Sequence, residues 1–321
     1  MNQQPIKMTY NTKPKKLEFG DTIGIITPSE PISILKKDRF EKGTAELKVR
    51  GFKIKIGKYA LLNPNNYIAA NDKERAEDIN EMFADSEVKA ILCTAGGHNS
   101  NGILPYLDYS LIEKNPKIFV GLSDPTAIIN AIYKKTGLIT FHGPSVMSDY
   151  GKGINRYTEE YFGKAVMYSE PIGKIKELSN WEILKGGICE GTLIGGNLTI
   201  LQCLIGTEYE PDWTDTILFW EEMGVEPFNI ERKLTQLKQL GIFNKIKGMI
   251  VGKCVECETK SYNNKTTIQE VVQKVCSEFK FPIIFNVDLG HTMEKITIPL
   301  GTKAKIDTKR KDFFIIESGV M

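Results

Sequence analysis

The sequence has little of several features that would define its function by themselves. Among 321 residues only three are histidines and six are cysteines, and 42 basic residues stand against 40 acidic ones. Because the charges are so nearly balanced, the protein has no large electrostatic field of one sign. This argues against nucleic acid or an anionic membrane as a partner. Six cysteines in a chain this long are too few for a disulfide framework. The ligand we expect is therefore a small molecule.

Long hydrophobic runs are also missing. The first residues, Met1 to Met8, lack the apolar stretch of a signal peptide, and no later segment has the length of a membrane span. The sequence therefore predicts a cytoplasmic protein that has no membrane partner. Its composition, 41% hydrophobic and 26% charged, is ordinary for globular domains, and its length is sufficient for two of them.

Segments with the spacing of strands alternate with helical segments through the first half of the chain. Strands are predicted at 21–26, 53–56, 88–93 and 118–120, and helices at about 33–50, 71–83 and 127–135. This alternation is typical of a parallel sheet with helices on both faces. Ligands of such sheets bind beyond the carboxyl ends of the strands, so the segments 94–97 and 121–123 are candidate site loops.

Residues 151 to 190 are poorly periodic and are interrupted by glycines, which marks the crossing between two domains. We predict an arm at 1–16, an α/β sandwich domain with a parallel sheet at 17–165, a linker at 166–190 and a second domain at 191–321. The second domain is predicted to be smaller, mixed α/β and rich in strands. It should end in a hairpin.

The segment from Lys117 to Thr126 has the pattern of a strand, a serine and a helix. Ile118 to Val120 form the apolar strand, Ser123 follows almost at once, and helical spacing begins at Ala127. A serine at so sharp a junction exposes its hydroxyl, and the N–H groups of a helix N-terminus can stabilise an oxyanion. The alternative is an ordinary helix N-cap, which Ser followed by Asp also suits.

A serine nucleophile needs a base, and the three histidines are the candidates. His98 follows a glycine pair, and His142 lies in a tight Phe-His-Gly-Pro turn that favours a packing role. His291 follows a predicted strand of the second domain in a polar loop, from which it can reach over a cleft. Each of the three can instead be structural or exposed.

The carboxylate that orients the base is expected at the end of the strand from Thr216 to Glu221. A charge that ends an apolar strand needs a specific partner or an open site. Glu222 is the rival candidate, and because successive strand residues point to opposite faces, at most one of the two faces the cleft. The alternative is that both glutamates simply end the strand in solvent.

Motifs that include these residues resemble those of the LD-carboxypeptidase family of serine peptidases. They occur in the same order as in that family, and the resemblance covers residues 14 to 318. They are Gly20 to Ser29, Arg75 to Asn80, Asn115 to Thr126, Lys135 to Pro144, Gly195 to Leu198, Leu218 to Glu222, Arg232 to Leu237 and Gly290-His291. The resemblance implies that Ser123 is the nucleophile, that His291 is the general base and then acid, and that Glu221 orients the imidazole. It also implies an oxyanion hole made by the backbone N–H groups of Gly97 and Asp124.

The same resemblance implies an active site in the cleft between the two domains. It also implies a homodimer, which is the general state of proteins in this family. Acyl transfer by such a triad requires no metal and no organic cofactor. One residue departs from the family pattern, since Pro125 replaces the aliphatic residue that usually follows Ser-Asp. Proline is tolerated in the first turn of a helix, so the departure concerns local geometry and leaves the role of Ser123 in place.

Two branches of this family differ in substrate. LD-carboxypeptidases remove the terminal D-alanine from muropeptide tetrapeptides in peptidoglycan recycling, whereas the microcin C immunity branch separates an aminoacyl group from a nucleotide-like moiety. The carboxypeptidase branch usually has Arg-Gly-Gly, followed by an aromatic residue and a glycine. Residues Ala95 to Asn101 read Ala-Gly-Gly-His-Asn-Ser-Asn and resemble the immunity branch.

The resemblance to the immunity branch predicts a small peptide or a peptide-nucleotide conjugate as the substrate. Asn99 and Ser100 become candidate substrate contacts, and Trp181 becomes a candidate platform for the nucleobase. The alternative for Trp181 is packing beneath a long loop. The cysteines of Cys254-Val-Glu-Cys257 form one isolated pair, whereas a structural zinc needs four ligands, so no metal is predicted there.

Other classes of protein remain as alternatives. An α/β-hydrolase has the same chain order of serine, acid and histidine, but its elbow places a glycine two residues after the serine, where this chain has Pro125. A non-catalytic protein that binds a small ligand would share the alternating strands and the two domains, although the periplasmic kind normally carries an export signal. A catalytically inactive relative is the third alternative.

Overall fold

The computed structural model describes residues 11–33, 36–63, 66–261 and 265–321. Residues 1–10 of the predicted arm and residues 34–35 of the first predicted helix lie outside these ranges. Within the arm, Thr12 forms a bridge with Leu138. None of the helices in these ranges combines the length and the apolar character that crossing a membrane requires.

The described strands and helices follow the predicted alternation. The strands are β1 Thr22–Ile26, β2 Lys53–Ile56, β3 Val88–Cys93, β4 Ile118–Gly121, β5 Thr140–His142, β6 Gly173–Lys174, β7 Glu182–Lys185, β8 Ile188–Asn197, β9 Thr216–Met223, β10 Gly248–Val255, β11 Ile283–Val287, β12 Ile298–Leu300, β13 Lys303–Asp307 and β14 Asp312–Ile315. The helices are α1 Lys37–Val49, α2 Asp72–Ala84, α3 Tyr109–Lys114, α4 Thr126–Thr136, α5 Arg156–Val166, α6 Leu198–Gln202, α7 Pro227–Gln239 and α8 Ile268–Val275.

The first sheet has the strand order β12-β5-β4-β3-β1-β2. Strands β1 to β5 are parallel, as the alternation predicts. Strand β12 is an addition that the sequence pattern does not predict. It comes from the C-terminal half and runs antiparallel to β5, with Ile298 opposite His142. A buried strand of three residues is too short to show a period of its own.

The second sheet has the order β6-β14-β13-β8-β9-β10-β11-β7. Its four central strands, β8 to β11, are parallel, and the flanking pairs are antiparallel. This is the mixed, strand-rich architecture predicted for the second half of the chain. The edge strands β6 and β7 lie inside the segment 166–190 that the sequence predicts as a linker, while the domain bounds themselves stay a prediction.

Local sequence signals account for several of these elements. Helix α2 begins after Asn71, whose side chain accepts a hydrogen bond from the N–H of Glu74 at 3.0 Å. The Glu74 carboxylate in turn accepts from the N–H of Asn71 at 3.1 Å, which completes a capping box. The helix buries the predicted apolar face, including Ile79 and Phe83, against the first sheet's core.

Helix α4 joins the two sheets. Its first residue, Thr126, accepts a hydrogen bond from the N–H of Asn197 at 3.0 Å, and Asn130 donates from Nδ2 to the carbonyl oxygen of Gly195 at 3.0 Å. A Cβ atom on Gly196, which has φ +137°, would lie 2.5 Å from Cγ2 of Thr126. Only glycine permits this approach. The start of α4 is therefore docked on the carboxyl end of β8.

Candidate active site

Ser123 lies in the turn between β4 and α4. Its φ of +70° is a left-handed conformation that costs a non-glycine residue about 1–3 kcal/mol. The residues on both sides are buried, whereas Ser123 itself is partly exposed. Helix α4 begins at Thr126 with Pro125 at the N-cap position, so the alternative that Ser123 is the N-cap is wrong. A strained, outward-facing serine between a strand and a helix has the geometry of a nucleophile elbow.

The loop after β3 passes directly beside Ser123. A Cβ atom on Gly96 would lie 2.6 Å from Cβ and 2.8 Å from Oγ of Ser123. Gly97 has φ +141°, and a Cβ atom there would lie 2.6 Å from the backbone nitrogen of Glu30. Within the described part of the chain, the N–H groups of Gly97 and Asp124 have no acceptor. Two unpaired backbone donors therefore lie in the two loops that meet at the Ser123 hydroxyl.

The side chain of Asp124 ties together three loops of the first sheet. Its Oδ2 accepts a hydrogen bond from the Ser29 hydroxyl at 2.5 Å and from the Ser100 N–H at 2.9 Å. The Ser100 hydroxyl donates to the carbonyl oxygen of Asp124 at 2.6 Å. Burial raises the pKa of the Asp124 carboxyl, and these hydrogen bonds oppose that rise. The loops after β1, β3 and β4 are thus held in one arrangement around the serine.

The predicted base and its predicted carboxylate are in direct contact. Nδ1 of His291 lies 2.6 Å from Oε2 of Glu221, and the Glu221 side chain is fully buried. Burial alone would lower the pKa of His291, but the Glu221 carboxylate outweighs it and holds the pKa above its ordinary value of 6.5. Burial would likewise raise the pKa of Glu221, and His291 holds it below the ordinary value. An imidazole that donates from Nδ1 keeps the lone pair of Nε2 for an incoming proton.

Glu222 has no hydrogen bond to a histidine among the described residues, and it shares the Asn197 amide with Glu221, accepting from Nδ2 at 3.4 Å. It accepts hydrogen bonds from the N–H of Thr199 at 2.8 Å and from Nζ of Lys233 at 3.1 Å. Both glutamates are buried, so the alternative that they end the strand in solvent is wrong. The two carboxylates meet at the Asn197 amide, but among the described residues only Glu221 is hydrogen-bonded to a histidine.

Asn197 is part of the site, and the sequence interpretation missed it. Its Nδ2 donates to Oε1 of Glu221 at 3.1 Å, while its Oδ1 accepts from the N–H of Ile200 at 3.3 Å and caps α6. The sequence does carry a signal, because an asparagine between Gly-Gly and an apolar helix is a typical N-cap. The contact with Glu221 follows from the pairing of β8 with β9, which places Asn197 opposite Glu221.

The other two histidines are not part of this arrangement. His142 is fully buried, its ring packs edge-on against Phe219 at 5.6 Å, and neither ring nitrogen has a partner among the described residues. Burial lowers its pKa to about 4. His98 is exposed and lies edge-on to Tyr67 at 6.4 Å. His142 is therefore a packing residue in the structure, as its sequence context predicts.

A cavity of about 470 Å³ lies where the two sheets meet. The segments around it follow the carboxyl ends of β1, β3, β4 and β5 in the first sheet and of β9, β10 and β11 in the second. Its lining includes Ser123, Gly97, His291, Glu30, Glu256 and Lys295. Parallel sheets bind ligands at this edge, and here both sheets contribute to one cavity.

A second depression, of about 500 Å³, lies against Phe19 and Tyr168 and is lined by neither serine nor histidine. It therefore lacks the groups that nucleophilic catalysis needs. In the ranges that the structure describes, no three His, Cys, Asp or Glu side chains converge to hold a metal ion.

The three predicted substrate contacts have different environments. Asn99 is exposed and has φ +62°, whereas Ser100 is buried and hydrogen-bonded to Asp124. Trp181 is also buried, and its Nε1 donates to Oδ2 of Asp288 at 2.8 Å. This burial agrees with the packing alternative for Trp181. Contact of any of the three with a substrate stays a prediction.

Sequence comparisons match both halves of the chain. The profile described as LD-carboxypeptidase N-terminal domain matches residues 23–143, and the LD-carboxypeptidase C-terminal domain matches residues 190–306. The chain is 37% identical to the probable murein peptide carboxypeptidase of Bacillus subtilis, over 97% of this chain and 96% of that protein. It is 34% identical to the Microcin C7 self-immunity protein MccF of Escherichia coli, over 94% of each chain.

Solved structures match over the same extent. MccF in complex with aspartyl sulfamoyl adenosine superposes with a TM-score of 0.88 at 33% identity, covering 97% of this chain and 100% of that one. The muramoyltetrapeptide carboxypeptidase of Oxalobacter formigenes superposes with a TM-score of 0.81 at 29% identity, covering 91% and 97%. The predicted fold, with two sheets in a two-part α/β chain, is confirmed.

Proposed function

Because the chain belongs to the LD-carboxypeptidase family, we propose that it is a serine hydrolase with a triad of Ser123, His291 and Glu221. The family makes it a hydrolase of the carboxypeptidase type. The observation that carries the triad is the 2.6 Å contact between Nδ1 of His291 and Oε2 of Glu221, beside a cavity that both His291 and Ser123 line.

The proposed mechanism is acyl transfer. Nε2 of His291 accepts the proton of Ser123 while Oγ attacks the scissile carbonyl carbon, and Glu221 stabilises the imidazolium that forms. The N–H groups of Gly97 and Asp124 hold the oxyanion. His291 then gives its proton to the leaving nitrogen. In the second half, His291 deprotonates a water molecule that releases the acyl group from Ser123.

For the substrate, the proposal is a small amide that joins an aminoacyl group to a nucleotide-like moiety. Ala95 lines the cavity at the position where the carboxypeptidase branch usually has arginine, so that position offers no guanidinium to a terminal carboxylate. The run from Asn99 to Asn101 resembles the immunity branch. MccF, whose structures contain aspartyl sulfamoyl adenosine and glutamyl sulfamoyl guanosine, also shares the fold over nearly the whole chain.

A murein tetrapeptide is the second candidate substrate. The observation that favours it is the 37% identity to the probable murein peptide carboxypeptidase, which extends over almost the full length of both proteins. The same acyl transfer would release the terminal D-alanine. The proposal also includes a cytoplasmic location and a homodimeric state. Light scattering of the purified protein measures its mass and so tests the homodimer.

A paired assay separates the two substrates. Aspartyl sulfamoyl adenosine and a murein tetrapeptide are each incubated with the wild type and with Ser123→Ala, and the products are identified by mass spectrometry. Release of aspartate, dependent on the serine, supports the aminoacyl-nucleotide substrate. Release of D-alanine alone supports the murein substrate instead. Equal turnover by wild type and Ser123→Ala would contradict the triad.

A further inference from the structure

A buried ion pair joins the loop that carries His291 to the half of the chain that carries Ser123. We call residues 288–297, which follow β11, the histidine loop. Within this loop Lys295 is buried, and its Nζ is paired with Oδ1 of Asp149, whose side chain is buried as well. Among the described residues, this is the one ion pair between the histidine loop and the first half of the chain.

Asp149 is tied in turn to the loop beside Ser123. Its Oδ2 accepts hydrogen bonds from the N–H of Ser145 at 2.7 Å and from the Ser145 hydroxyl at 3.2 Å. Two residues further on, the N–H of Met147 donates to the carbonyl oxygen of Thr94 at 2.8 Å. Thr94 directly follows β3 and begins the loop that passes beside Ser123. One oxygen of the carboxylate therefore holds the histidine loop, and the other holds the serine side of the cavity.

The contact with Glu221 does not by itself fix His291 in relation to the serine. Glu221 and the histidine loop both belong to the second sheet, so their hydrogen bond orients the imidazole within that sheet. Helix α5 binds the loop backbone, since Thr158 donates from Oγ1 to the carbonyl oxygen of Met293 at 2.8 Å. Separation of the ion pair, however, would leave two buried charges unpaired. The pair therefore excludes positions of the loop that the weaker contacts allow.

We propose that Lys295 and Asp149 are positioning residues, whose ion pair holds His291 within reach of the Ser123 hydroxyl. This inference rests on the proposed function, in which His291 takes the proton of Ser123. A general base must lie within hydrogen-bond reach of the proton that it removes, and a displacement of one ångström can cost about 10²-fold in rate. Lys295 also lines the cavity, so the test has to separate positioning from substrate binding.

The first experiment measures kcat and KM in Lys295→Met, which removes the charge and keeps an unbranched side chain. Aspartyl sulfamoyl adenosine or the murein tetrapeptide is the substrate, according to the paired assay. The value of kcat should fall by about 10- to 100-fold while KM changes by less than about threefold, because the two reacting residues are displaced. A higher KM at constant kcat would mean that the ammonium binds substrate, and it would overturn the positioning role.

Lys117→Met is the matched control. Lys117 is also a buried lysine, and its Nζ donates to the carbonyl oxygen of Met82 at 2.9 Å. It precedes β4, at the opposite end of that strand from Ser123. The control should lower the melting temperature and leave kcat unchanged. An equal fall of kcat in Lys117→Met and Lys295→Met would show a general loss of packing and would overturn the proposal.

A double variant keeps the test decisive if Lys295→Met does not fold. Lys295→Met combined with Asp149→Leu removes both charges, and replacing a buried ion pair by apolar residues often preserves stability. Its kcat should also lie about 10- to 100-fold below that of the wild type. Where both single variants fold, the double variant should lose no more than either of them, because the two residues act as one pair. Wild-type kcat in the double variant would overturn the proposal, as would losses that multiply.

The last measurement is independent of turnover. The Glu221 and Glu222 carboxylates favour the imidazolium of His291, whereas the Lys295 ammonium and the nearby imidazole of His142 oppose it. An NMR titration, with the signal assigned by its absence in His291→Ala, should give a higher pKa in Lys295→Met than in the wild type. An unchanged pKa would overturn the placement of the ammonium beside His291. A wild type without turnover would contradict the proposed function, while a raised pKa would still support that placement.

Discussion

The two sheets hold their parts of the candidate site by different means. Ser123 is held by the backbone, through a left-handed conformation and the close approach of Gly96. His291 and Glu221 are held by side-chain hydrogen bonds, with Asn197 as the second partner of the carboxylate. A backbone-held group tolerates little change around it, whereas a side-chain contact can be weakened one hydrogen bond at a time. The two regions should therefore respond differently to small substitutions.

The largest effect is expected at the serine. Ser123→Ala should lower kcat by about 10⁴-fold or more, because the nucleophile is lost while binding and the oxyanion donors remain. Alanine meets the same backbone strain as serine, so the melting temperature should stay near that of the wild type. Steady-state kinetics and thermal unfolding measure the two quantities. Turnover within about tenfold of the wild type would contradict the assignment of Ser123.

The next largest effect should separate the neighbouring glutamates. Glu221→Gln should lower kcat/KM by about 10³-fold, because the neutral amide no longer stabilises the imidazolium or fixes its orientation. Glu222→Gln should cost less than about tenfold in kcat/KM, since Glu222 binds Thr199 and Lys233 and shares only the Asn197 amide with Glu221.

Glu222→Gln should also lower the stability of the protein. Glu222→Gln leaves the largely buried Lys233 ammonium without its carboxylate, which should lower the free energy of unfolding by about 2–3 kcal/mol. Denaturation in urea measures this loss. Equal losses of kcat/KM at the two positions would remove the distinction between Glu221 and Glu222.

A smaller effect on kcat/KM should come from a single methyl group added at Gly96, beside the serine. In Gly96→Ala the new Cβ would lie 2.8 Å from Oγ of Ser123, so the hydroxyl must move, and kcat/KM should fall by about 10²-fold. Gly163→Ala in α5 is the matched control, because an added Cβ there has no heavy atom within 4 Å. It should leave kcat/KM unchanged and stabilise the helix by about 0.5–1 kcal/mol. Similar activity in both variants would show that Gly96 does not position the serine.

The smallest effect concerns pH. His291 must be neutral to accept a proton, and Glu221 holds its pKa above 6.5, so kcat/KM should rise with pH along a limb centred above that value. Glu221→Gln removes the charge that favours the imidazolium, which should move the limb to lower pH. A limb that stays in place would show that Glu221 does not set the pKa of His291.

The same shift fixes the sign of a stability effect. Because the folded-state pKa of His291 is raised, its contribution to the free energy of unfolding is fully present below about pH 6.5. It is lost as the pH rises through the folded-state pKa. Urea denaturation at several pH values, with Glu221→Gln as the control, measures this dependence.

The regular elements could be predicted because each carries a local pattern. Strands β2 and β3 have the predicted bounds at both ends, since each is a short apolar or alternating run between turn residues. The edge strand β6, with two residues, and the added strand β12, with three, carry no such pattern. They exist only because a neighbouring strand offers its hydrogen-bonding edge.

The sequence by itself determined the succession of strands and helices, the family, and a short set of polar residues at strand ends. The tertiary structure alone decided which of these residues meet. His291 and Glu221 lie 70 positions from each other in the chain, and their contact depends on neighbouring strands and on the docking of α4 against β8. Hydrophobic periodicity is a local property of the chain, whereas contact between distant side chains depends on strand pairing and on the packing of the two sheets.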